Sequence, residues 1–152
     1  MVRNPNIYDL NRFVAAQSTI YGEVLAELRA GEKRTHWSWY IFPQIRDLGS
    51  SPTSIRYAIS SLAEAVAYVE HPLLGARLRE CVAALNAHRG LTAVAILGEI
   101  DARKFQSCLT LFSQAAPSER IFREALSKFF GGELDAATLR ILAKQRPQTN
   151  DS

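Results

Sequence analysis

The amino-acid sequence predicts an all-α fold, built as a single domain of about seven helices. Three observations lead to this prediction. Apolar residues recur every three or four positions along most of the chain, which is the spacing of one face of a helix. Capping residues, prolines and glycines interrupt this pattern at short intervals, as they do between packed helices. Strand-like segments do not alternate with helical ones, so a doubly wound sheet is not expected.

The first helix is predicted over residues 10–29, where the apolar pattern is most regular. Asp9 precedes it as a candidate N-cap, and Gly31 follows it as a candidate stop. Gln17 is a polar amide in the middle of the apolar stripe, and a buried amide is costly unless it is hydrogen-bonded. We therefore expect Gln17 either to brace the backbone of the next segment or to face a pocket.

Residues 32–50 are predicted to form an ordered, non-helical crossover, because their periodicity is unclear. Within this stretch Trp37, Trp39 and Ile41 alternate with other side chains, which favours a short extended piece. Pro43 also favours an extended conformation for the residue before it.

Each remaining helix is predicted from a start signal and a stop signal. Ser51 is followed by a proline suited to the first helical turn, and Ser61 and Glu64 have the spacing of a capping box. Further N-caps are predicted at Thr92, Asp101, Ser118 and Asp135. The predicted stops are His71-Pro72, Gly90, Gly98, Pro117 and Gly131-Gly132. The domain is predicted to span residues 1–146, with a disordered polar tail at 147–152.

Composition limits the classes of function. Of the 152 residues, 47% are hydrophobic and 22% charged, which is ordinary for a soluble globular protein long enough to bury its own core. The net charge of +3 is too small for a dedicated nucleic-acid binder. Neither a signal peptide nor a membrane span is indicated. Cys81 and Cys108 do not make a disulfide framework, so a cytoplasmic, reduced location is expected.

Familiar catalytic motifs are absent from the sequence. There is no P-loop, GxGxxG, HExxH or GxSxG pattern. His36, His71 and His88 are too widely spaced for the paired helical ligands of a zinc site, so neither a metal nor a cofactor is predicted. Cys108 is more simply explained as a small apolar residue on a buried helical face than as a nucleophile.

The segment KRTHWSWYIFPQ, residues 33–44, is the strongest candidate for a ligand site. One interpretation is structural: the two tryptophans anchor the crossover, and Lys33 and Arg34 complement the negative end of the first helix dipole. The other interpretation is functional. Cations beside aromatic faces bind a phosphate group and stack a base or a similar ring.

A second candidate lies in the predicted helix that follows Asp101. Lys104, Ser107 and Cys108 share one side of it and border the apolar stripe. The alternative is that this is simply a solvated polar edge. Together the two segments give the following predicted ligand-binding residues: Lys33, Arg34, His36, Trp37, Trp39, Gln44 and Lys104. His36 is the candidate for proton transfer.

Five segments together resemble one known family. They are LNRFVAAQ (10–17), KRTHWSWYIFPQIRDLGSSPTSIRYAI (33–59), EAVAYVEHPLLGARLREC (64–81), DARKFQSCLTLF (101–112) and FFGGELDAATLRIL (129–142). The chain resembles the bacterial domain-of-unknown-function family 1810, whose members are sometimes mislabelled calpastatin. The resemblance implies a mostly helical single domain and supplies no reaction. This sequence has Tyr40 and Cys108 where Phe and Ser are common in the family, which weakens any proposal that needs a hydroxyl at 108.

Two hypotheses for function follow. The first is a pocket protein, or an enzyme, for a small anionic ligand such as a nucleotide or a sugar phosphate. It is favoured if Lys33, His36, Gln44 and Lys104 come together at one cavity. The second is a non-catalytic helical protein-interaction module, which a broad exposed apolar patch without a deep pocket would favour. Nucleic-acid and membrane partners are not expected.

Overall fold

The computed structural model describes residues 7–145, and within that range it contains ten helices and no strand. A single isolated parallel bridge pairs Ile45 with Ile59. The helices are α1 (Asn11–Gln17), α2 (Tyr21–Ala30), α3 (Ser38–Ile41), α4 (Pro52–Arg56), α5 (Leu62–Glu70), α6 (Leu74–Asn86), α7 (Ala93–Leu97), α8 (Glu99–Ala115), α9 (Arg120–Phe130) and α10 (Ala136–Gln145). The all-α prediction is confirmed, with more helices than the seven expected. The predicted tail at 147–152 lies outside the described residues.

The stretch predicted as one helix over 10–29 forms two helices, α1 and α2. The Ser18 hydroxyl donates to the carbonyl of Ala15 at 2.9 Å, and the Ile20 amide donates to the carbonyl of Gln17 at 3.1 Å. Bonds of this i→i−3 type tighten the chain and end the regular i→i−4 pattern. Periodicity did not reveal the break, because the apolar spacing continues across it.

The crossover predicted over 32–50 is non-helical except for the single turn α3. The prediction of a short extended piece at Trp37, Trp39 and Ile41 is therefore wrong. The amides of Ile41 and Phe42 donate to the carbonyls of Trp37 and Ser38, at 3.3 and 2.8 Å. Before Pro43, Phe42 leaves the helical region, with φ −119° and ψ 69°, as expected for a residue that precedes proline.

Most of the predicted helix boundaries are confirmed. The N-cap side chains each accept a hydrogen bond from the backbone amide three residues later: Ser51, Ser61, Thr92 and Asp135. Gly31 ends α2 in the left-handed conformation, with φ 76°, where a residue without Cβ is favoured.

Three predicted caps are wrong. Leu10 occupies the N-cap position of α1, and Asp9 lies before it with φ 48°. Glu119, not Ser118, occupies the N-cap position of α9. Its carboxylate accepts a 2.5 Å hydrogen bond from Arg79 Nε. Asp101 lies in the first turn of α8, because the helix begins at Glu99, directly after Gly98 with its φ of 87°.

The long helix α8 forms the centre of the fold. It packs against α5, α7, α9 and α10 and also contacts α3. Phe105, Cys108 and Phe112 on α8 are fully buried. Burial raises the pKa of the Cys108 thiol well above its ordinary value, so Cys108 is a protonated core side chain. None of the helices within residues 7–145 combines the length and apolar character needed to cross a membrane.

The corner between α5 and α6 explains the HPLLG stretch of the sequence. The imidazole Nδ1 of His71 accepts hydrogen bonds from the amides of Leu73 and Leu74, at 3.2 and 3.1 Å. Gly75 then brings α6 so close to the end of α5 that a Cβ at this position would lie 2.1 Å from the carbonyl oxygen of Val69. Only glycine fits this approach.

Substituting Gly75 tests this corner. We expect Gly75→Ala to destabilise the protein by at least about 2 kcal/mol, because the obstructing atom is backbone and cannot rotate away. Gly22→Ala is the matched control: Gly22 is likewise the second residue of a helix, and nothing lies within 4 Å of its added Cβ. The control should lose no stability and should gain up to about 1 kcal/mol. Urea denaturation measures both, and equal stability of the two variants would contradict this packing.

Candidate functional site

The segment before the first tryptophan is fixed to α2 by the carboxylate of Glu27. Its Oε1 accepts hydrogen bonds from the Arg34 amide at 2.7 Å, the Thr35 amide at 3.1 Å and the Trp37 indole Nε1 at 3.0 Å. Its Oε2 accepts from the Thr35 hydroxyl at 2.7 Å. Burial alone would raise the pKa of Glu27, but these hydrogen bonds lower it to about 2. A single carboxylate thus accepts the hydrogen bonds of two backbone amides in this non-helical segment.

Gln17 braces the next part of the segment. Its Nε2 donates to the carbonyl of Tyr40 at 2.7 Å and to the hydroxyl oxygen of Tyr68 at 3.2 Å. Arg77 donates to its Oε1 at 3.3 Å. Of the two expectations for this buried amide, the one that it supports the tryptophan segment is confirmed.

Lys33 is a buried member of an ion pair. Its Nζ lies 2.8 Å from Asp101 Oδ2, and its side chain is only 5% exposed. The same ammonium lies 5.0 Å from the centre of the Trp37 ring. Burial alone would raise the pKa of Asp101, but the hydrogen bond and charge of Lys33, with a hydrogen bond from Ser38, lower it below its usual value. Lys33 therefore attaches the crossover to the start of α8.

The two tryptophans have different environments. Trp37 is 1% exposed and packs against Phe42 in the core, so the structural interpretation describes it fully. Trp39 is only partly buried. The Nζ of Lys104 lies 4.3 Å from the centre of the Trp39 ring and 3.4 Å from Asp101 Oδ1. Lys33 and Lys104 thus share the carboxylate of Asp101. Lys104, which lies beside Trp39, is farther from it than Lys33 is.

Trp39, Ile100 and Lys104 form a wall between two depressions of the surface. The larger, which we call the main cleft, has a volume of about 820 Å³. The smaller, which we call the side depression, has a volume of about 430 Å³ and lies at the start of α8. Beyond the shared wall, the main cleft is lined by side chains that include Gln44, Arg46, Tyr57, Arg103, Ser107 and Asp135.

The predicted site residues divide between these two depressions. Lys33, His36 and Trp37 line the side depression, Gln44 lines the main cleft, and Trp39 and Lys104 line both. Arg34 lines neither: its side chain is 72% exposed, and its guanidinium lies 3.3 Å from the Glu32 carboxylate. The four residues Lys33, His36, Gln44 and Lys104 therefore do not converge on one cavity.

The segment 56–60, which contributes Tyr57, Ala58 and Ser60 to the main cleft, is supported by a largely buried ion pair between Arg12 and Glu64. The guanidinium of Arg12 donates to the carbonyls of Arg56 and Ala58, both at 2.8 Å, and to Glu64 Oε2 at 2.9 Å. Glu64 Oε1 accepts from the amide and hydroxyl of Ser60, at 2.8 and 2.7 Å. These hydrogen bonds attach the backbone of segment 56–60 to Arg12 of α1 and Glu64 of α5.

Several cleft residues were missed by sequence reasoning. Arg46, Tyr57 and Arg103 carry no motif that separates them from ordinary surface residues, and Asp135 was identified only as a helix cap. The local signals for this cleft were the tryptophan segment, which contains Trp39 and Gln44, and the spacing of Lys104 and Ser107 along one helical face. Across the described range 7–145, no three His, Cys, Asp or Glu side chains are placed to hold a metal ion.

The Glu27 network predicts an acid-dependent loss of stability. Its pKa is about 2 in the fold and about 4.3 in an unfolded chain, so its contribution is complete above about pH 5 and is lost as the pH falls towards 2. We expect Glu27→Gln to destabilise the protein at pH 7 by about 1–3 kcal/mol and to flatten the pH dependence of unfolding below pH 5. The exposed Glu23, varied to Gln, is the control. Urea denaturation between pH 2 and 7 measures this, and an unchanged pH dependence in Glu27→Gln would contradict it.

Comparison with known proteins places these features in a family. Residues 7–142 match the family model described as protein of unknown function (DUF1810), which confirms the resemblance seen in the sequence. The crystal structure of the conserved hypothetical protein Rv1873 from Mycobacterium tuberculosis is similar, with 48% sequence identity and a TM-score of 0.88 over 90% of this chain and 97% of that one. Comparison with curated proteins gave no match. The chain thus belongs to the DUF1810 family of proteins of unknown function.

Proposed function

We propose that this protein binds a small anionic ligand carrying a planar ring, such as a nucleotide, in the main cleft. The observation that carries the proposal is the placement of Lys104. It lies against the partly exposed ring of Trp39, in the wall of a cleft of about 820 Å³. Cavities of about 300–1,000 Å³ are typical of small-molecule sites.

The charge around Lys104 favours an anionic ligand. Asp101 is 2.8 Å from the Lys33 ammonium and 3.4 Å from that of Lys104. One carboxylate between two ammonium groups leaves a surplus positive charge, and Lys33 is too buried to carry it to a ligand. The surplus therefore resides at Lys104, on the surface of the cleft.

Two arginines of the main cleft add to this field. Arg46 lies 3.9 Å from the Asp47 carboxylate, and Arg103 lies 3.9 Å from that of Glu99. Exposed pairs at such distances are weak, so both guanidinium groups are free to turn towards a phosphate. A planar guanidinium group can donate two parallel hydrogen bonds to two oxygens of one phosphate.

Apolar side chains at the cleft favour a ligand with a ring. Ile55 and Ile100 are 64% and 72% exposed, and both line the main cleft together with Trp39 and Tyr57. Apolar and aromatic groups left in water at a concave surface are typical of a binding site. A sugar phosphate would use the cations and leave these side chains uncovered, so we favour a nucleotide.

The alternative is a non-catalytic protein-interaction module. The other large hydrophobic side chains that are exposed within residues 7–145 are Ile7, Leu73, Leu91, Val94 and Leu134. They belong to four separate parts of the chain, and single exposed side chains of this kind are normal on a protein surface. The concave cleft therefore supports the ligand-binding proposal more strongly than the module.

No catalytic residue is assigned by this proposal. His36 lies at the side depression, on the other side of the wall from the main cleft. It would transfer a proton only to a ligand that extends past Trp39.

Ligand binding can be tested by thermal shift and tryptophan fluorescence with nucleotides, ADP-ribose and pentose phosphates. We expect millimolar or tighter binding of at least one of these anions. Trp39→Leu should weaken it about 10-fold through lost stacking, and Lys104→Gln should weaken it similarly through a lost charge-assisted hydrogen bond.

Arg34→Gln is the control for charge, because Arg34 lines neither depression, and it should bind as the unmodified protein does. The proposal fails if no anion stabilises the protein at millimolar concentration. It also fails if Lys104→Gln binds as well as Arg34→Gln.

A further inference from the structure

We infer that the main cleft selects ligands with free sugar hydroxyl groups, and that Asp135 is the residue that recognises them. The inference rests on the proposed function, since it concerns a second group of the same ligand. Asp135 lines the main cleft directly before α10.

The hydrogen bonds of Asp135 are concentrated on one of its two oxygens. Oδ2 accepts from the Thr138 amide at 3.0 Å, the Thr138 hydroxyl at 2.5 Å and the Ser107 hydroxyl at 3.1 Å. All three of the hydrogen bonds that the described residues make to this carboxylate go to Oδ2. Oδ1 therefore keeps its acceptor capacity for a donor in the cleft.

None of the ion pairs formed among residues 7–145 includes Asp135. Its charge is stabilised by the three hydrogen bonds and by its position at the start of α10. The main cleft therefore has a cationic part, at Lys104 and Arg103, and an anionic part, at Asp135. The cations attract an anionic group, whereas Asp135 repels it and favours hydroxyl donors.

The spacing of the two parts fits one small molecule. Ser107, which is bonded to Asp135, follows Lys104 by three residues on the same face of α8. The Lys104 ammonium is directed towards Asp101, one turn before Lys104, so the cation and the Asp135 carboxylate lie beside different turns of α8. A pentose phosphate can join two such groups, with its phosphate at Lys104 and its ring hydroxyl groups at Asp135.

Helix capping alone does not account for this arrangement. Capping uses Oδ2 only, and serine, threonine or asparagine would cap the helix equally well. What capping leaves unexplained is the negative charge of a carboxylate that lines the cleft. Asp135→Asn is therefore an informative variant, because it retains the cap and replaces the charged acceptor.

The experiment compares matched probes by isothermal titration calorimetry. One pair is adenosine 5′-monophosphate and its 2′,3′-dideoxy analogue; the other is ribose 5-phosphate and tetrahydrofurfuryl phosphate, which lacks the hydroxyl groups. The unmodified protein should prefer the hydroxylated member about 10-fold, as expected for a hydrogen bond to a charged acceptor. Asp135→Asn should lose this preference while its melting temperature stays close to that of the unmodified protein.

Thr138→Val is the control for structure. It removes a hydroxyl donor to Oδ2 and leaves Oδ1 in place, so it should lower the melting temperature and keep the preference. Equal affinity for both members of each pair, or a preference that survives in Asp135→Asn, overturns the inference and leaves the proposed function standing. If neither pair binds at millimolar concentration, the inference fails, and the wider panel of nucleotides, ADP-ribose and pentose phosphates decides whether the proposed function stands.

Discussion

The carboxylate of Asp101 is the group on which the candidate site depends. It lies in the first turn of α8 and holds the ammonium of Lys33 at 2.8 Å in a nearly water-free position. Removing one partner of this largely buried ion pair would leave the other charge unpaired, which is unfavourable. The pair therefore fixes the crossover against the central helix. Because Lys33 and Lys104 share this one carboxylate, at 2.8 and 3.4 Å, one of the two positive charges is left over at the candidate site.

The geometry of α3 gives the two tryptophans their separate roles. On an extended segment, residues two apart point to the same face, and both rings would then have been core or both surface. In a helical turn, residues two apart point in nearly opposite directions. Trp37 is thus directed into the core, where it bonds to Glu27, and Trp39 to the wall between the two depressions. Trp37 is therefore a core residue, whereas Trp39 lies at the cleft that we propose as the ligand site.

Local signals in the sequence were sufficient for much of the fold. Ser51, Ser61 and Thr92 could be identified as caps because capping depends on residues three apart. Asp101 was wrongly predicted to be a cap. Its carboxylate pairs instead with Lys33, which lies 68 positions earlier in the chain. Long-range partners of this kind leave no local pattern.

The candidate site was less accessible to sequence reasoning than the fold. The tryptophan segment and Lys104 could be singled out because cations beside aromatic residues are chemically suggestive. Tyr57 directly follows α4, Arg103 lies on α8 and Asp135 directly precedes α10, and the three line one cleft only in the folded chain. The sequence also suggested one common site for Lys33 and Arg34. In the structure the Arg34 side chain is exposed to solvent, whereas that of Lys33 is buried.

The central claim, that ligands bind at Trp39 and that Trp37 is purely structural, can be tested most directly by NMR. The chain has only two tryptophans, so a ¹⁵N-edited spectrum contains two indole N–H signals, which a Trp39→Leu variant assigns. On titration with adenosine 5′-monophosphate, we expect the Trp39 signal to shift progressively. The Trp37 signal should stay in place, because its N–H is bonded to Glu27. A Trp39 signal that does not move, or movement of the Trp37 signal alone, would contradict the account.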